Sequence, residues 1–423
     1  MTLPEGWKER KLSQLCYIKI GGTPSRSVAK YWAKGHDGHP WVSISDLLNN
    51  PVKTTKEYIT TEGVDNSNVK LIFAGTVLMS FKLTVGRISR AAVPLYTNEA
   101  IAAFEPLSEA EITSDYLYFT LPLKLGGLEH DKAVKGITLN KAKLQNLPIV
   151  VPSPGEQQKI TEILNGVDAT IKATQDVIDQ TERTKIALMN EFLISGLFDK
   201  HKEFKSSSFG DVPKSWDVRP LGTLFDLVER RVDMDDDEEY QLVTVKRRNG
   251  GVVERERLPG KKIKVKNQYW IEEGDFLISK RQIVHGACEI VPAALSGAIV
   301  SNEYHTLRAK DDLYLPYFRW ISRAAFMYRY FLISSVGVHI EKMLFKLDQW
   351  SKLEIPLPPL DEQKKITEIL ESTENSAAAN QARLDQLQKL KAALMQVLLT
   401  GKVRVPVAEN SESQNQRREA ANG

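Results

Sequence analysis

Apolar residues recur in alternating steps of four and three along two stretches of the chain. From Ile160 the series runs through Leu164, Val167, Ile171, Thr174, Ile178, Thr181, Lys185, Leu188 and Phe192. From Ile366 it runs through Leu370, Thr373, Ala377, Asn380, Leu384, Leu387, Lys391, Leu394 and Leu398. Seven of the ten positions in each series are apolar, counting Ala377. A 3.5-residue period of this kind makes a narrow seam for pairing with another helix. Each stretch therefore predicts a helix roughly 60 Å long at about 1.5 Å per residue. The competing reading is two amphipathic helices, each packed on its own domain. The narrow seam and strongly charged flanking faces argue against it. Antiparallel pairing sets Lys185 opposite the region of Thr373 and Lys391 opposite Val167, whereas parallel pairing brings the two lysines face to face at a cost.

The two helices open almost identically, as EQQKITEIL at 156–164 and EQKKITEIL at 362–370. The repeat extends further. Pro4, Trp7, Leu12 and Leu15 return as Pro213, Trp216, Leu221 and Leu224; Gly75, Gly86 and Asn98-Glu99 return as Gly274, Gly286 and Asn302-Glu303. A proline-bounded extended stretch precedes each helix, and ALM followed by a glycine (Gly196, Gly401) closes it. An internal repeat of this length implies a duplicated architecture.

Between the helices the period drops to two. WVSI (41–44), KLIF (70–73), VLMSF (77–81) and AIAAF (100–104) read as strands, with a helix over 115–123. In the second segment 241–258 reads as a β-hairpin whose Asn249-Gly250-Gly251 supplies the positive-φ turn. KIKVK (262–266) reads as a strand with three lysines on one face and Ile263 and Val265 on the other. A longer helix is expected from Tyr317 to about Ser334. The fold class is mixed α/β: two globular domains separated by two long antiparallel coiled-coil helices, in a pseudo-two-fold internal repeat. The boundaries are 1–152, helix 153–199, 200–357, helix 358–402, and a polar tail at 403–423 expected to be disordered.

Composition narrows the picture without deciding it. The chain has 423 residues, is 42% hydrophobic and 26% charged, and carries a net charge of +3. Cys16 and Cys288 are too isolated for a disulfide framework and fit a reducing cytosol. Met1 to Trp7 lacks a signal pattern, and no apolar run approaches the ~20 residues of a membrane span. A cytoplasmic location is expected.

Catalytic signatures are missing: the sequence contains no phosphate loop, no dinucleotide fingerprint and no nucleophile elbow. His36 and His39 share a turn-like HDGH without further ligands at metal spacing. Asp361, Glu362 and Lys364 resemble part of a nuclease motif, but carboxylates at a helix N-terminus read as capping. Basic residues are more informative. Lys246, Arg247, Arg248, Arg255, Arg257, Lys262 and Lys264 crowd one stretch, and strand alternation puts Arg255 and Arg257 opposite Glu254 and Glu256. A positive, apolar-backed β surface suits phosphate tracking and base contact. The acidic run 235–239 partly offsets it. The first segment offers Lys53, Lys56, Lys82, Arg87 and Arg90, with Lys82 aligned to Lys280-Arg281. Trp32, Trp41 and Tyr31 read as core anchors rather than base-stacking platforms.

Taken together, IGGTPSRSVAKYW, WVSISDL, SFKLTVGRI, YTNEAIAAF, GDFLISKR, GAIVSNEY and the paired helix starts resemble the specificity subunit of a type I restriction–modification system. The resemblance covers residues 1 to about 402. It implies two target recognition domains, each reading half of a bipartite, asymmetric double-stranded DNA sequence, with the helices as spacers. It also implies two modification subunits that use S-adenosylmethionine to methylate adenine N6, and restriction subunits that use ATP and Mg; this chain itself would bind no cofactor or metal and catalyse nothing. The alternatives are a non-enzymatic coiled-coil adaptor joining two protein-binding domains and a self-contained DNA-modifying enzyme.

Overall fold

A computed structural model describes residues 3–129, 139–197 and 200–407. Its contacts divide the chain into two units, Met1–Gln175 with Ala382–Gly423, and Asp176–Gln381. Each long helix, Pro154–Phe192 and Leu360–Leu398, contributes one half to each unit.

The repeat is legible in the strand order. In unit 1 a four-stranded antiparallel sheet runs Cys16–Ile20, Ile101–Pro106, Val77–Ser80, Ile88–Arg90. In unit 2 Phe225–Leu227, Tyr304–Ala309, Phe276–Ser279 and Cys288–Ile290 follow the same order of first, last, second and third strand. Each unit also pairs its opening strand with the strand leading into a long helix: Lys8–Lys11 with Pro148–Val151, and Asp217–Pro220 with Glu354–Leu357.

Val77–Ser80, Phe276–Ser279 and the start of Ile101–Pro106 are buried on both faces, which is why they read as near-continuous apolar runs. Val77, Met79, Ala102 and Phe104 join the core that includes Ile160, Leu164 and Leu398 of the long helices, while Leu78, Ile101 and Ala103 face a second core with Val42 and Ile72. In unit 2 Phe276, Ile278 and Leu307 meet Phe192, Ile366 and Leu370, and Leu277 turns to Val243 and Val300. Within each unit the start of one helix thus shares a core with the end of the other, which makes the pairing antiparallel. The Lys391 ammonium lies 2.6 Å from Asp168, one residue beyond Val167. Every position of both four-and-three series is buried or half-buried.

The copies differ in their second sheet. Unit 1 has three short strands, Glu57–Ile59, His39–Val42 and Tyr96–Thr97. Unit 2 has five: Arg230–Arg231, Gln268–Trp270, Ile299–Ser301, Glu239–Val245 and Val252–Pro259. The last two form the expected hairpin, with a register shift at Leu242/Val243.

Several expectations need correction. KLIF is not a strand: Leu71 and Phe73 face solvent, and only Ile72 is buried, bridging Leu95. KIKVK is not a strand either. It follows a 3-10 turn at Gly260–Lys262, and Ile263 is buried while Val265 is exposed, so the two share no apolar face. In the hairpin turn the left-handed residues are Arg248, Asn249 and Gly251, not Gly250. The expected helix at 317–334 is two, Leu315–Ile321 and Ala325–Ile333, broken where Ala324 is extended. The start of the tail is anchored, since Val405 packs on the unit 1 core and Arg404 binds Glu156; residues 408–423 lie outside the described residues.

Candidate nucleic-acid interface

Each unit is held to its helices by the glutamate and glutamine that open the repeat. Glu156 is buried and accepts from the Trp7 indole at 2.9 Å; Glu362 is buried and accepts from Trp216 at 3.1 Å. The neighbouring glutamines are equally matched. Gln157 accepts from the Thr113 amide and donates to the carbonyls of Glu111 and Pro152; Gln363 does the same with Tyr314, Asp312 and Pro358. Each carboxylate then takes a cation from just beyond the end of the other helix. Arg404 reaches Glu156 at 2.7 and 2.9 Å, and Lys200 and His201 reach Glu362 at 3.1 and 2.7 Å. Burial raises the pKa of both glutamates, but these donors outweigh it and hold both below the usual value. The capping reading of Glu362 is therefore incomplete, because its side chain is consumed in a buried anchor.

The glycines that close the helices serve the same anchor. Gly196 and Gly401 have φ of +81° and +71°. A Cβ on Gly196 would come within 2.7 Å of the His201 ring, and one on Gly401 would collide with Pro4. Both the left-handed turn and the close approach require glycine there.

On this scaffold the basic residues fall into separate groups. Arg255, Lys262 and Lys264 line one cleft of about 340 Å³ over the second sheet of unit 2, with Leu242, Ile299 and Tyr304 among its walls. Lys262 and Lys264 meet no carboxylate among the described residues. Arg255 is paired with Glu256 at 2.9 Å, and Arg257 turns to Glu254 at 3.2 Å. Strand alternation thus fails to separate the arginines from the glutamates, because long side chains reach around the strand edge. The acidic run takes Lys261 through Asp237 and Lys266 through Asp236, both at the sheet's margin.

The hairpin turn holds Lys246, Arg247 and Arg248. Its backbone docks on the residues after Phe276–Ser279, with the Arg248 amide donating to the His285 carbonyl at 2.7 Å. Arg247 binds Glu341 at 2.7 Å. Arg281 binds Glu303 at 2.6 Å. Lys280 is half-buried, and burial holds its ammonium below the usual pKa against the pull of Glu303 and Glu229. Beside it, His305 is pushed down to about 4 by burial and by Lys280.

In unit 1, Lys53, Lys56 and Lys82 are exposed and Arg87 is half-buried, near the Ile44 carbonyl at 3.5 Å. Arg90 is occupied by the fold: it pairs with Asp115 at 2.7 Å and lies over the Tyr118 ring at 3.8 Å. Trp41 is a core anchor, donating to the Gly22 carbonyl at 2.9 Å, with Trp32 edge-on at 5.1 Å. Arg26, which sequence reasoning missed, lies over Trp32 at 3.7 Å and pairs with Glu57. His36 and His39 pack edge-on against Tyr58 and Tyr96. No described helix is long and apolar enough to cross a membrane.

A family model described as "Type I restriction modification DNA specificity domain" matches residues 4–183 and again 213–389. The chain is 28% identical over 231 residues to the type I restriction enzyme MjaIX specificity subunit of Methanocaldococcus jannaschii, so it spans about half that relative's length, 52% of each chain. With the MjaVIII specificity subunit of the same organism it shares 27% identity over 430 residues, covering 96% of this chain and 95% of the other. Among solved structures, the type I restriction-modification S subunit from M. genitalium has a similar fold, with a TM-score of 0.54 and 13% identity over 94% of this chain and 98% of that one. One family match falls on each copy of the repeat, and together they span most of the sequence: the chain belongs to the type I restriction–modification DNA specificity family.

Proposed function

We propose that each unit reads one half of a bipartite, asymmetric DNA sequence and that the chain directs partner subunits to it. The observation that carries this is the division of labour between the sheets. The four-stranded sheet and the Trp–Glu anchor are built alike in both copies, whereas the second sheet has three strands in one and five in the other. A common scaffold bearing unlike surfaces suits a protein that must hold two different readers in the same way. In unit 2 the unlike sheet carries the cleft with Arg255, Lys262 and Lys264. Cations in such a cleft hold phosphates, and arginine can also address guanine.

On this reading modification subunits bind S-adenosylmethionine and methylate adenine N6, and restriction subunits supply ATP- and Mg-dependent translocation and cleavage. The target adenine has to leave the base stack, a task for the methylating partner. Each long helix has 39 residues, about 58 Å at ~1.5 Å per residue, and sets the gap between half-sites. The test is to express the chain with its modification subunits and map methylated adenines genome-wide. One bipartite motif is expected; methylation without sequence preference, or none, overturns the reading.

A further inference from the structure

Leu83 and Val338 are the two most exposed large apolar side chains among the described residues, at 91% and 95%. One belongs to each unit. Scattered exposed aliphatics are ordinary, but the setting of these two is not.

Leu83 sits at the tip of the turn joining Val77–Ser80 to Ile88–Arg90, with a φ of +61°. That left-handed conformation is unusual for a bulky side chain, and asparagine or glycine would adopt it more readily. The turn is pinned from below by Ser80, which is fully buried. Its hydroxyl donates to the Thr84 carbonyl and accepts from the Arg87 amide at 3.1 Å, and its own carbonyl accepts from Gly86 at 2.9 Å. The neighbours impose the strain on Leu83, a pattern associated with functional sites. Cations flank the tip. Lys82 is exposed, and Arg87 is half-buried, with its guanidinium 3.5 Å from the Ile44 carbonyl. Glu99 feels the Lys82 charge from a distance while its carboxylate accepts from Thr23.

Val338 occupies the turn between Ser335–Val336 and Leu344–Phe345, with Val336 and Ile340 also exposed. This turn too is tied down. The Phe345 amide donates to the Lys280 carbonyl at 2.8 Å, and Glu341 binds Arg247 at 2.7 Å. Lys342 is exposed within the turn.

We propose that Leu83 and Val338 are the apolar base-contacting tips of the two units. Each enters a groove of the duplex and packs on base edges, while the cations beside it hold the flanking phosphates. An aliphatic side chain contributes to recognition by contact with a thymine methyl group or by wedging at a base step. The exposed Lys82 beside Leu83 and the exposed Lys342 beside Val338 complement phosphates, and the bare apolar tips complement base edges, which is the chemistry of a DNA groove. The proposal rests on the DNA-reading function above and adds the residues that enter the groove.

The experiment compares Leu83→Asn, Leu83→Met and Val338→Asn in the full chain expressed with its modification subunits. Methylated motif, subunit assembly and melting temperature are read for each. Asparagine tolerates the left-handed backbone, so Leu83→Asn is expected to melt no lower than the parent. It should nevertheless relax, or reduce at least tenfold, recognition of one half-site. Val338→Asn should do so at the other half-site, and Leu83→Met should keep the parental motif. An unchanged motif in either asparagine variant overturns the proposal, as does an effect of both on the same half-site. Failure of either asparagine variant to assemble with the modification subunits would assign the tips to a protein partner and overturn it equally. If the parental complex itself methylates no bipartite motif, the broader reading has failed, and that outcome is visible before any variant is compared.

Discussion

The indole nitrogen of Trp216 donates to the carboxylate of Glu362 across 146 positions of sequence, and Trp7 does the same to Glu156 across 149. In each pair the tryptophan opens a globular segment and the glutamate opens a long helix. The contact therefore fixes where each globular segment stands on its helix. Because His201, Lys200 and the Leu197 amide also converge on Glu362, its carboxylate is fully satisfied although no solvent reaches it.

Removing that carboxylate should be costly. Glu362→Ala leaves a buried indole N–H, the Leu197 amide and the His201 ring without their acceptor and removes one partner of Lys200, and about 3 kcal/mol is expected to be lost. Trp216→Phe keeps the ring and removes one donor, and should cost nearer 1 kcal/mol. Hydrogen exchange over residues 196–216 reads the effect locally; exchange unchanged in Glu362→Ala would show that the anchor contributes nothing to the docking of this unit.

The same anchors predict acid sensitivity. Burial alone would raise both glutamate pKa values, but the donors from Trp7 and Arg404, and from His201, Lys200 and Trp216, bring them below the usual carboxylate value. A carboxylate whose folded pKa lies below its unfolded one stabilises the fold fully above the unfolded value. The contribution disappears as pH falls through the folded value. The melting temperature should therefore change little through these groups above about pH 5 and drop below pH 4.5. Glu156→Gln with Glu362→Gln should lower the plateau and flatten the acid limb; an acid limb as steep as the parent's would place the linkage elsewhere.

Much of this architecture is legible in the sequence because the repeat keeps its spacing. A 3.5-residue period survives in Ile160 to Phe192 and Ile366 to Leu398, and doubly buried strands such as VLMSF keep unbroken apolar runs. The Trp–Glu–cation anchor is harder to see, since its members come from three distant places: Arg404 and Glu156 are 248 positions apart. A signal does exist, because Trp7 and Trp216, Glu156 and Glu362, and the basic residues after Gly196 and Gly401 all recur at matching points. The basic surface is the least legible part. Alternation places Arg255 and Arg257 away from Glu254 and Glu256, yet flexible side chains pair them. Lys262 and Lys264 of KIKVK reach the cleft from irregular chain that has no period to read.

The cleft itself is testable by salt. Arg255→Ala, Lys262→Ala and Lys264→Ala together remove three cations from one concavity. If they neutralise phosphates, the slope of log K against log salt should become shallower by between about 1 and 3, since each lost contact removes about 0.9. Lys262→Arg with Lys264→Arg keeps the charge and should keep the slope. An unaltered slope in the triple variant would mean that the cleft faces away from the backbone of the duplex. A changed slope with an unchanged motif would identify these residues as phosphate holders rather than base readers.

The helices offer the sharpest test of how the two readings are spaced. Seven residues added to each long helix, after Gln175 and after Gln381, preserve the seam because seven is two turns of a 3.5-residue period. The insertion lengthens each helix by about 10 Å, or about three base pairs at ~3.4 Å per step. The methylated motif should keep both half-sites and widen its gap by that amount. Adding four residues to the first helix alone, near Ile178, lengthens it by about 6 Å. It also breaks the match between the two seams, so a smaller widening of one or two base pairs is expected, with a lower melting temperature. Half-sites that change sequence while the gap stays fixed would be incompatible with helices that act as a ruler.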